Sequence, residues 1–209
     1  IENPVLSYIE PYASSACEMV AEILQYISEG VKLRPIEADA MFAGLMIDTN
    51  NFSVKTGART FEAAAFLKKS GADITRVHLA FRDSMEIYRA RAEAVRGAEI
   101  ENHMAYAVCP SNGLESPTIV GAQVANQLLN ITGIRASYVF TCIKDTVYIS
   151  ARSVEGSDGI NVQLVMERLG GGGHSTVAGA QVSNVSPAQA MDMVKQTIVT
   201  MQKEGAIEL

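Results

Sequence analysis

At 209 residues the chain can hold one large domain or two small ones, and a hydrophobic fraction of 48% is sufficient to bury a core. The net charge of −6 argues against broad electrostatic binding to duplex nucleic acid, and every apolar stretch ends well short of the about 20 residues that a membrane-spanning helix needs. The three cysteines lack metal-ligand spacing, which indicates free thiols in a reducing compartment. Because the sequence starts at Ile1 without a signal peptide, we expect it to be a piece of a longer polypeptide.

The first part of the chain is predicted to be helical. Ser15 and Glu18 have the spacing of a capping box, and a helix that starts there would turn one apolar face inward, formed by Val20, Ile23, Leu24 and Ile27. A second helix is predicted after Pro35, with an inward face of Ala38, Met41, Phe42 and Leu45. This second helix ends at Asp48.

Asp48 is the first residue whose position indicates chemistry. It directly follows the apolar residues 45–47, so its carboxylate lies at the rim of a core, where a charge is costly unless a cation or hydrogen bonds satisfy it. The stretch does not fit a calcium loop, because Phe52 and Ser53 stand where a ligand and a glycine are required. An Asx turn, in which Asp48 and the asparagines after it bond to their own backbone, is an equally good interpretation of the spacing.

A strongly charged helix is predicted over residues 84–96. Its apolar content is thin, so most of its charges would be solvated, and such a helix suits a connection between two domains. We therefore place a domain boundary there.

The second half begins with an α/β pattern. Residues 100–109 are predicted to form one strand, followed by a helix whose inward face is Val120, Val124, Leu128 and Ile131. Two β-rich runs, residues 136–143 and 146–152, then flank a polar dipeptide as in a hairpin.

The rest of the second half is predicted to contain a helix, a glycine run, a strand and a final helix. The first helix starts at Asn161 and has the apolar positions Val162, Val165, Met166 and Leu169. Residues 177–182 return as a strand, and a last helix follows Ser186, with Met191, Val194, Ile198 and Met201 inward.

The glycine run Gly170–Gly173, with His174 behind it, is the most unusual local feature. Four successive glycines lose much backbone entropy on folding, which indicates that something must approach the main chain closely, and a phosphate held by bare N–H groups and the imidazole is the obvious candidate. The run is neither a P-loop nor a dinucleotide fingerprint, because no lysine follows it and Ser175 and Thr176 stand where a third glycine is needed. The alternative is a helix C-cap at Gly170 followed by a loop.

Arg152 lies at the end of a predicted strand, where the chain turns toward the glycine run. Its planar guanidinium is suited to holding a phosphate, although a solvated surface arginine is an equally good interpretation of this position alone.

Four segments of the chain together resemble a known family, the DHH phosphoesterase superfamily, and within it the GdpP-type cyclic di-AMP phosphodiesterases. Residues 170–174 with Ala178 and Gly179 are similar to the signature of the DHH-associated domain, and residues 150–153 resemble the strand before it. Residues 8–15 and 44–52 are similar to the GdpP branch in particular.

The resemblance implies an α/β fold in two lobes. Residues 1–82 would be the C-terminal remainder of a DHH domain, residues 83–97 a linker helix, and residues 98–209 a DHH-associated substrate-binding domain with a mixed sheet. It also implies that two manganese ions activate water for attack on a phosphodiester. Asp48 matches one catalytic metal ligand, and the substrate-binding set would be Arg152, Ser153, Gly171, Gly172, Gly173, His174, Ala178 and Gly179, facing Asp48 across a cleft.

The implied reaction is hydrolysis of cyclic di-AMP to the linear dinucleotide pApA by a membrane-anchored parent protein whose catalytic part is cytoplasmic. The Asp-His-His triplet and the other metal ligands of the family have no counterpart in this sequence, and one carboxylate cannot hold two hard cations, so we expect this chain alone to be inactive or nearly so. The sequence leaves open whether the chain forms a homodimer.

Three other functions remain open. A nanoRNase or phosphoadenosine phosphatase of the same superfamily would share every motif quoted. A RecJ-like exonuclease would need a more basic and aromatic groove for its strand. A non-catalytic nucleotide-binding module would keep its affinity when manganese is chelated.

Overall fold

The computed structural model describes residues 5, 7–27, 32–156 and 159–207. The chain divides after residue 82 into two compact units, which are described one at a time. None of the described helices is both long enough and apolar enough to cross a bilayer.

The first unit is formed by helices. They are α1 (Ala16–Ile27), α2 (Pro35–Asp48), α3 (Ala58–Lys69) and α4 (Ile74–Ala80). The predicted inward face of α2 is confirmed, since Ala38, Phe42 and Leu45 are buried and Met41 packs against them. These side chains form one core with residues of α1, α3 and α4.

The predicted face of α1 is wrong. Val20, Ile23 and Ile27 are exposed, whereas Glu18 and Ala21 are buried. The Glu18 carboxylate accepts hydrogen bonds from the hydroxyls of Ser14 and Thr60, and these bonds replace the water that it loses. Only half of the predicted capping box forms: Ser15 Oγ accepts the N–H of Glu18 at 3.0 Å, while the Glu18 side chain turns into the unit.

The second unit is α/β, as predicted, with a mixed sheet. Its elements are α5 (Met85–Arg96), β1 (Glu99–Glu101), β2 (Met104–Cys109), α6 (Pro117–Leu128), β3 (Ala136–Ile143), β4 (Thr146–Ser153), α7 (Val162–Glu167), β5 (Gly172–Gly173), β6 (Val177–Ser183) and α8 (Pro187–Lys203). The strand order is β1-β2-β3-β4-β6-β5; β2 and β3 run parallel, and the other neighbours are antiparallel.

Helices cover both faces of this sheet. Alternate strand residues pack against α5 and α6 on one face and against α7 and α8 on the other, which gives two separate hydrophobic cores. The charged helix α5 buries Ala90 and Ala94 and packs within this unit, against α6 and β2. The inward face of α8 is confirmed, as is the hairpin of β3 and β4.

The single strand predicted over residues 100–109 is wrong. Asn102 and His103 have positive φ angles of 49° and 63°, and they reverse the chain between β1 and β2. Asparagine tolerates the left-handed conformation better than most residues, so this tight turn fits a sequence without glycine there.

Candidate functional site

The fold explains three of the four glycines in the run, and the fourth, Gly172, has no such explanation. Gly170 has a φ of 76° and follows α7, and the N–H of Gly171 donates to the carbonyl of Met166 at 2.9 Å. This is a helix C-cap, so the alternative interpretation holds for the first glycine.

Gly171 and Gly173 are required by the close approach of β6. A Cβ at Gly171 would lie 2.1 Å from the carbonyl oxygen of Gly179, and a Cβ at Gly173 would lie 2.4 Å from that of Val177. A Cβ at Gly172 would meet nothing within 4 Å. Two of the glycines therefore admit a neighbouring strand, whereas Gly170 and Gly172 have open space where a side chain would lie.

Gly172 belongs to a row without large side chains. It pairs with Gly179 of β6, which in turn pairs with Ser150 of β4. The neighbours Ile149 and Ala151 point into the α7–α8 core, so this row lies on the face that carries α6. Together the two glycines and the serine form a flat floor.

An open pocket of about 400 Å³ adjoins this floor. Ser150 and Gly179 of the floor line this pocket, and Gly172 does not. Other lining residues are Thr118 at the start of α6, Tyr148, Gly170, Gly171 and Gln181. Sequence analysis missed Thr118 and Ser150. The period of two along β4 would have indicated Ser150, since it shares a face with Arg152, whereas nothing local marks Thr118.

Arg152 lies two residues beyond Ser150 on the same face, about 6.6 Å along the strand. Its Nε donates to Asn126 Oδ1 at 3.1 Å and its Nη1 donates to the carbonyl of Ala151 at 2.8 Å. Burial lowers the pKa of its guanidinium from the ordinary value. Within the described ranges no carboxylate pairs with Arg152, so a half-buried positive charge lies uncompensated beside the floor.

His174 forms the turn between β5 and β6. The backbone N–H of His174 donates to the carbonyl of Val177 at 2.7 Å, and the N–H of Val177 donates to the carbonyl of His174 at 3.2 Å. Val177 pairs with Arg152, so the turn lies at the same end of the sheet as the arginine. The residue is exposed, and its imidazole makes no hydrogen bond to any residue that the structure describes.

Ser153 and Ala178, which the resemblance included in the substrate-binding set, face the opposite side of the sheet. Ser153 is 6% exposed; its Oγ accepts the N–H of Ile160 at 2.8 Å and donates to the carbonyl of Arg135 at 3.1 Å. Ala178 is buried in the α7–α8 core, with its backbone close to Gly173. Both side chains hold the fold together on the face away from the floor.

Asp48 is the last residue of α2 in the first unit, and its side chain is exposed. Among the described residues it makes no hydrogen bond or ion pair, so the Asx turn does not form. Thr49 holds the turn instead: its buried Oγ1 donates to the carbonyl of Leu45 at 2.6 Å and accepts the N–H of Phe52 at 2.9 Å. Asn50, Asn51 and Phe52 then have φ angles of 45°, 56° and 62°, so the chain bends sharply just after Asp48.

Asp48 fits a metal only as one of several ligands. Burial raises the pKa of the nearby Cys17 thiol, and the negative charge of Asp48 raises it further, so this neighbour is not a ready thiolate. In the part of the chain that the structure describes, no group of three or more His, Cys, Asp or Glu side chains could hold an ion. The described residues therefore do not assemble the two-manganese centre that the resemblance implies. The position of Asp48 opposite the glycine run stays a prediction.

Comparisons with known proteins indicate the family of the chain. Residues 102–203 match the DHHA1 domain family. The chain is 44% identical over 200 residues to the cyclic-di-AMP phosphodiesterase GdpP of Geobacillus thermodenitrificans, and 38% identical over 191 residues to the cyclic-di-AMP phosphodiesterase PdeA of Listeria monocytogenes. The matches cover 95% and 91% of this chain but 30% and 29% of those proteins, so the chain spans under a third of their length.

The fold has a similar solved structure. An exopolyphosphatase-related protein from Bacteroides fragilis matches with a TM-score of 0.80, over 95% of this chain and 60% of that chain. The two sequences are 16% identical, so this likeness concerns the fold alone.

Proposed function

This chain belongs to the DHH phosphoesterase superfamily, with a DHHA1 domain over residues 102–203, and on that basis we propose that it is part of a cyclic-di-AMP phosphodiesterase. The reaction is the addition of one water to a phosphodiester of cyclic di-AMP, which breaks one P–O bond and gives linear pApA. The similarity to named cyclic-di-AMP phosphodiesterases over 95% and 91% of the chain supports this substrate class.

The observation that carries the proposal is the uncompensated charge of Arg152 beside the floor of Gly172, Gly179 and Ser150. In this role Arg152 binds phosphate oxygens, and the floor allows the sugar–phosphate of the ligand to approach the main chain. A guanidinium has a planar fork of donors that matches a phosphate, and a half-buried position strengthens the contact because water screens it less. His174 supplies a further donor at the same end.

Manganese dependence belongs to the longer protein in this proposal. Asp48 would supply one oxygen ligand, and the other ligands would come from outside the described residues. A metal ion held there would make bound water nucleophilic. We likewise propose, from the resemblance, that the parent is anchored in the cell membrane with this part in the cytoplasm.

The test uses the full-length protein that contains this chain. Turnover of cyclic di-AMP, linear pApA and adenosine 3′,5′-bisphosphate is compared for the wild type, Asp48→Ala and His174→Ala. We expect the wild type to prefer cyclic di-AMP, Asp48→Ala to lose turnover with nucleotide binding largely intact, and His174→Ala to bind more weakly. A preference for pApA or the bisphosphate would instead favour a nanoRNase or phosphatase. Nucleotide binding without any turnover would favour a binding module.

A further inference from the structure

The side chain of Arg152 is held at two of its donors and open at the rest. Nε contacts Asn126 of α6, and Nη1 contacts the carbonyl of Ala151. A guanidinium has five N–H donors, and the remaining ones, on Nη2 and one on Nη1, have no hydrogen-bond partner among the described residues. Two of the five donors are therefore engaged, and three are available.

The partner that fixes Arg152 is neutral, which is unlike the partners of other arginines in this chain. Arg59 Nε contacts Glu22 at 2.6 Å, and Arg76 Nε contacts Asp39 at 2.7 Å. A carboxylate at position 126 would accept the same hydrogen bond, but it would also neutralise the guanidinium. Asparagine supplies an acceptor of similar shape without the charge.

The helix that carries Asn126 provides a rigid base. Val124 and Ala125 beside it are fully buried, and Ser137 Oγ of β3 donates to the carbonyl of Ala125 at 2.8 Å. The backbone at this point of α6 is thus tied to the sheet. The exposed amide of Asn126 reaches from this base to the guanidinium, across 3.1 Å.

We propose that Asn126 is a positioning residue for phosphate binding: it orients the Arg152 guanidinium with its Nη2 group free, and it leaves the positive charge uncompensated. The inference rests on the proposed function, in which Arg152 binds phosphate oxygens. Asn126 acts through the arginine and needs no contact with the ligand.

The test measures KM and kcat for cyclic di-AMP with the full-length protein. Arg152→Ala is expected to raise KM by about 10-fold to 150-fold, the range for a hydrogen bond to a charged group. Asn126→Asp should raise KM by a similar factor, because its carboxylate pairs with the arginine, and Asn126→Ala should raise it less. In each case kcat should change much less than KM, since the contact exists before and during the reaction.

A matched control separates position from charge. Gln127 is exposed on α6 and is not among the hydrogen-bond partners of Arg152 in the described structure, so Gln127→Glu adds the same negative charge to the helix at a neighbouring position. We expect its KM to stay within about twofold of the wild type, because an exposed charge without a contact is screened by solvent.

A double-mutant cycle decides whether Asn126 acts through Arg152. In an Arg152→Ala background, Asn126→Ala and Asn126→Asp should have no further effect on KM. Equal effects in both backgrounds, or a wild-type KM for Asn126→Asp, would overturn the positioning role. An Arg152→Ala variant with unchanged KM would instead refute the phosphate-binding role of the arginine, and with it this part of the proposed function.

Discussion

Two alanine substitutions in the glycine run should separate folding from binding. At Gly171 the new methyl would lie 2.1 Å from the carbonyl oxygen of Gly179 and 2.7 Å from the Cα of Ala180, both backbone atoms of β6. Ordinary contact starts at 3.4 Å, so the strands must separate by more than about 1 Å, which corresponds to an overpacking cost of about 1–3 kcal/mol. The same methyl at Gly172 meets nothing within 4 Å, and alanine in a strand is about 0.5–1 kcal/mol better than glycine.

Urea-induced unfolding followed by circular dichroism gives the free energies, and KM for cyclic di-AMP in the full-length protein gives the effect on binding. We expect Gly171→Ala to lose stability, and Gly172→Ala to keep it or gain slightly while its KM rises because the methyl occupies the floor. Equal loss of stability in both variants would refute the assignment of Gly171 to strand packing. An unchanged KM for Gly172→Ala would refute the role of the floor.

Three further predictions concern single side chains. Ser153→Ala should lower the free energy of unfolding by about 1–3 kcal/mol, because it leaves the buried N–H of Ile160 without its acceptor. The half-buried hydroxyl of Ser150 makes no hydrogen bond to the described residues, so Ser150→Ala should stay within about 0.5 kcal/mol of the wild type. The Arg76 guanidinium holds the pKa of Asp39 below its ordinary 3.8. This carboxylate therefore stabilises the fold above pH 3.8, and the stabilisation is lost as the pH falls through the lower pKa of the folded state. In acid unfolding, Asp39→Asn should not show this pH-dependent loss of stability. The isolated 209-residue chain should show no more than trace hydrolysis of cyclic di-AMP with added manganese, and turnover comparable to the full-length protein would refute the view that Asp48 needs ligands from elsewhere.

Regular patterns in the sequence predicted much of the second unit. Helical and strand periodicity predicted the inward face of α8, the hairpin of β3 and β4, and the buried Val120, Val124 and Leu128 of α6, because one face of each element is apolar and the other is not. The fourth residue predicted for the α6 face, Ile131, is wrong: it lies beyond the end of the helix and is exposed. Periodicity did not predict the turn at Asn102 and His103. The residues on both sides of it have strand propensity, and only the backbone conformation reveals the reversal.

Helix α1 shows why an apolar stripe is not always the buried face. Glu18 is inside because Ser14, four residues earlier, and Thr60, from α3, both donate to its carboxylate. Thr60 is 42 residues away in sequence, so no local pattern could predict this contact. These hydrogen bonds, with Arg59 Nε at 4.0 Å from Glu18 Oε1, offset the cost of burying the carboxylate. With Glu18 turned inward, Val20 and Ile27 are exposed.

The glycines of the run are not all required for the same reason. The sequence predicts that something approaches the main chain closely, and at Gly171 and Gly173 this is β6. A glycine required by a neighbouring strand and a glycine required by a ligand look identical in a sequence. Only the direction in which each missing Cβ would point distinguishes them, and that direction depends on the pairing of β5 with β6.

The negative net charge of the chain and the positive charge of Arg152 should both favour a ligand with few phosphates. A net charge of −6 repels anions that come within about a Debye length of the chain, so we expect long nucleic-acid strands to bind weakly. The attraction to one half-buried guanidinium acts mainly within a Debye length of about 8 Å and is satisfied by one or two phosphates. As part of the proposed function, we therefore expect the site around Arg152 to bind a ligand with one or two phosphates more tightly than a long polymer.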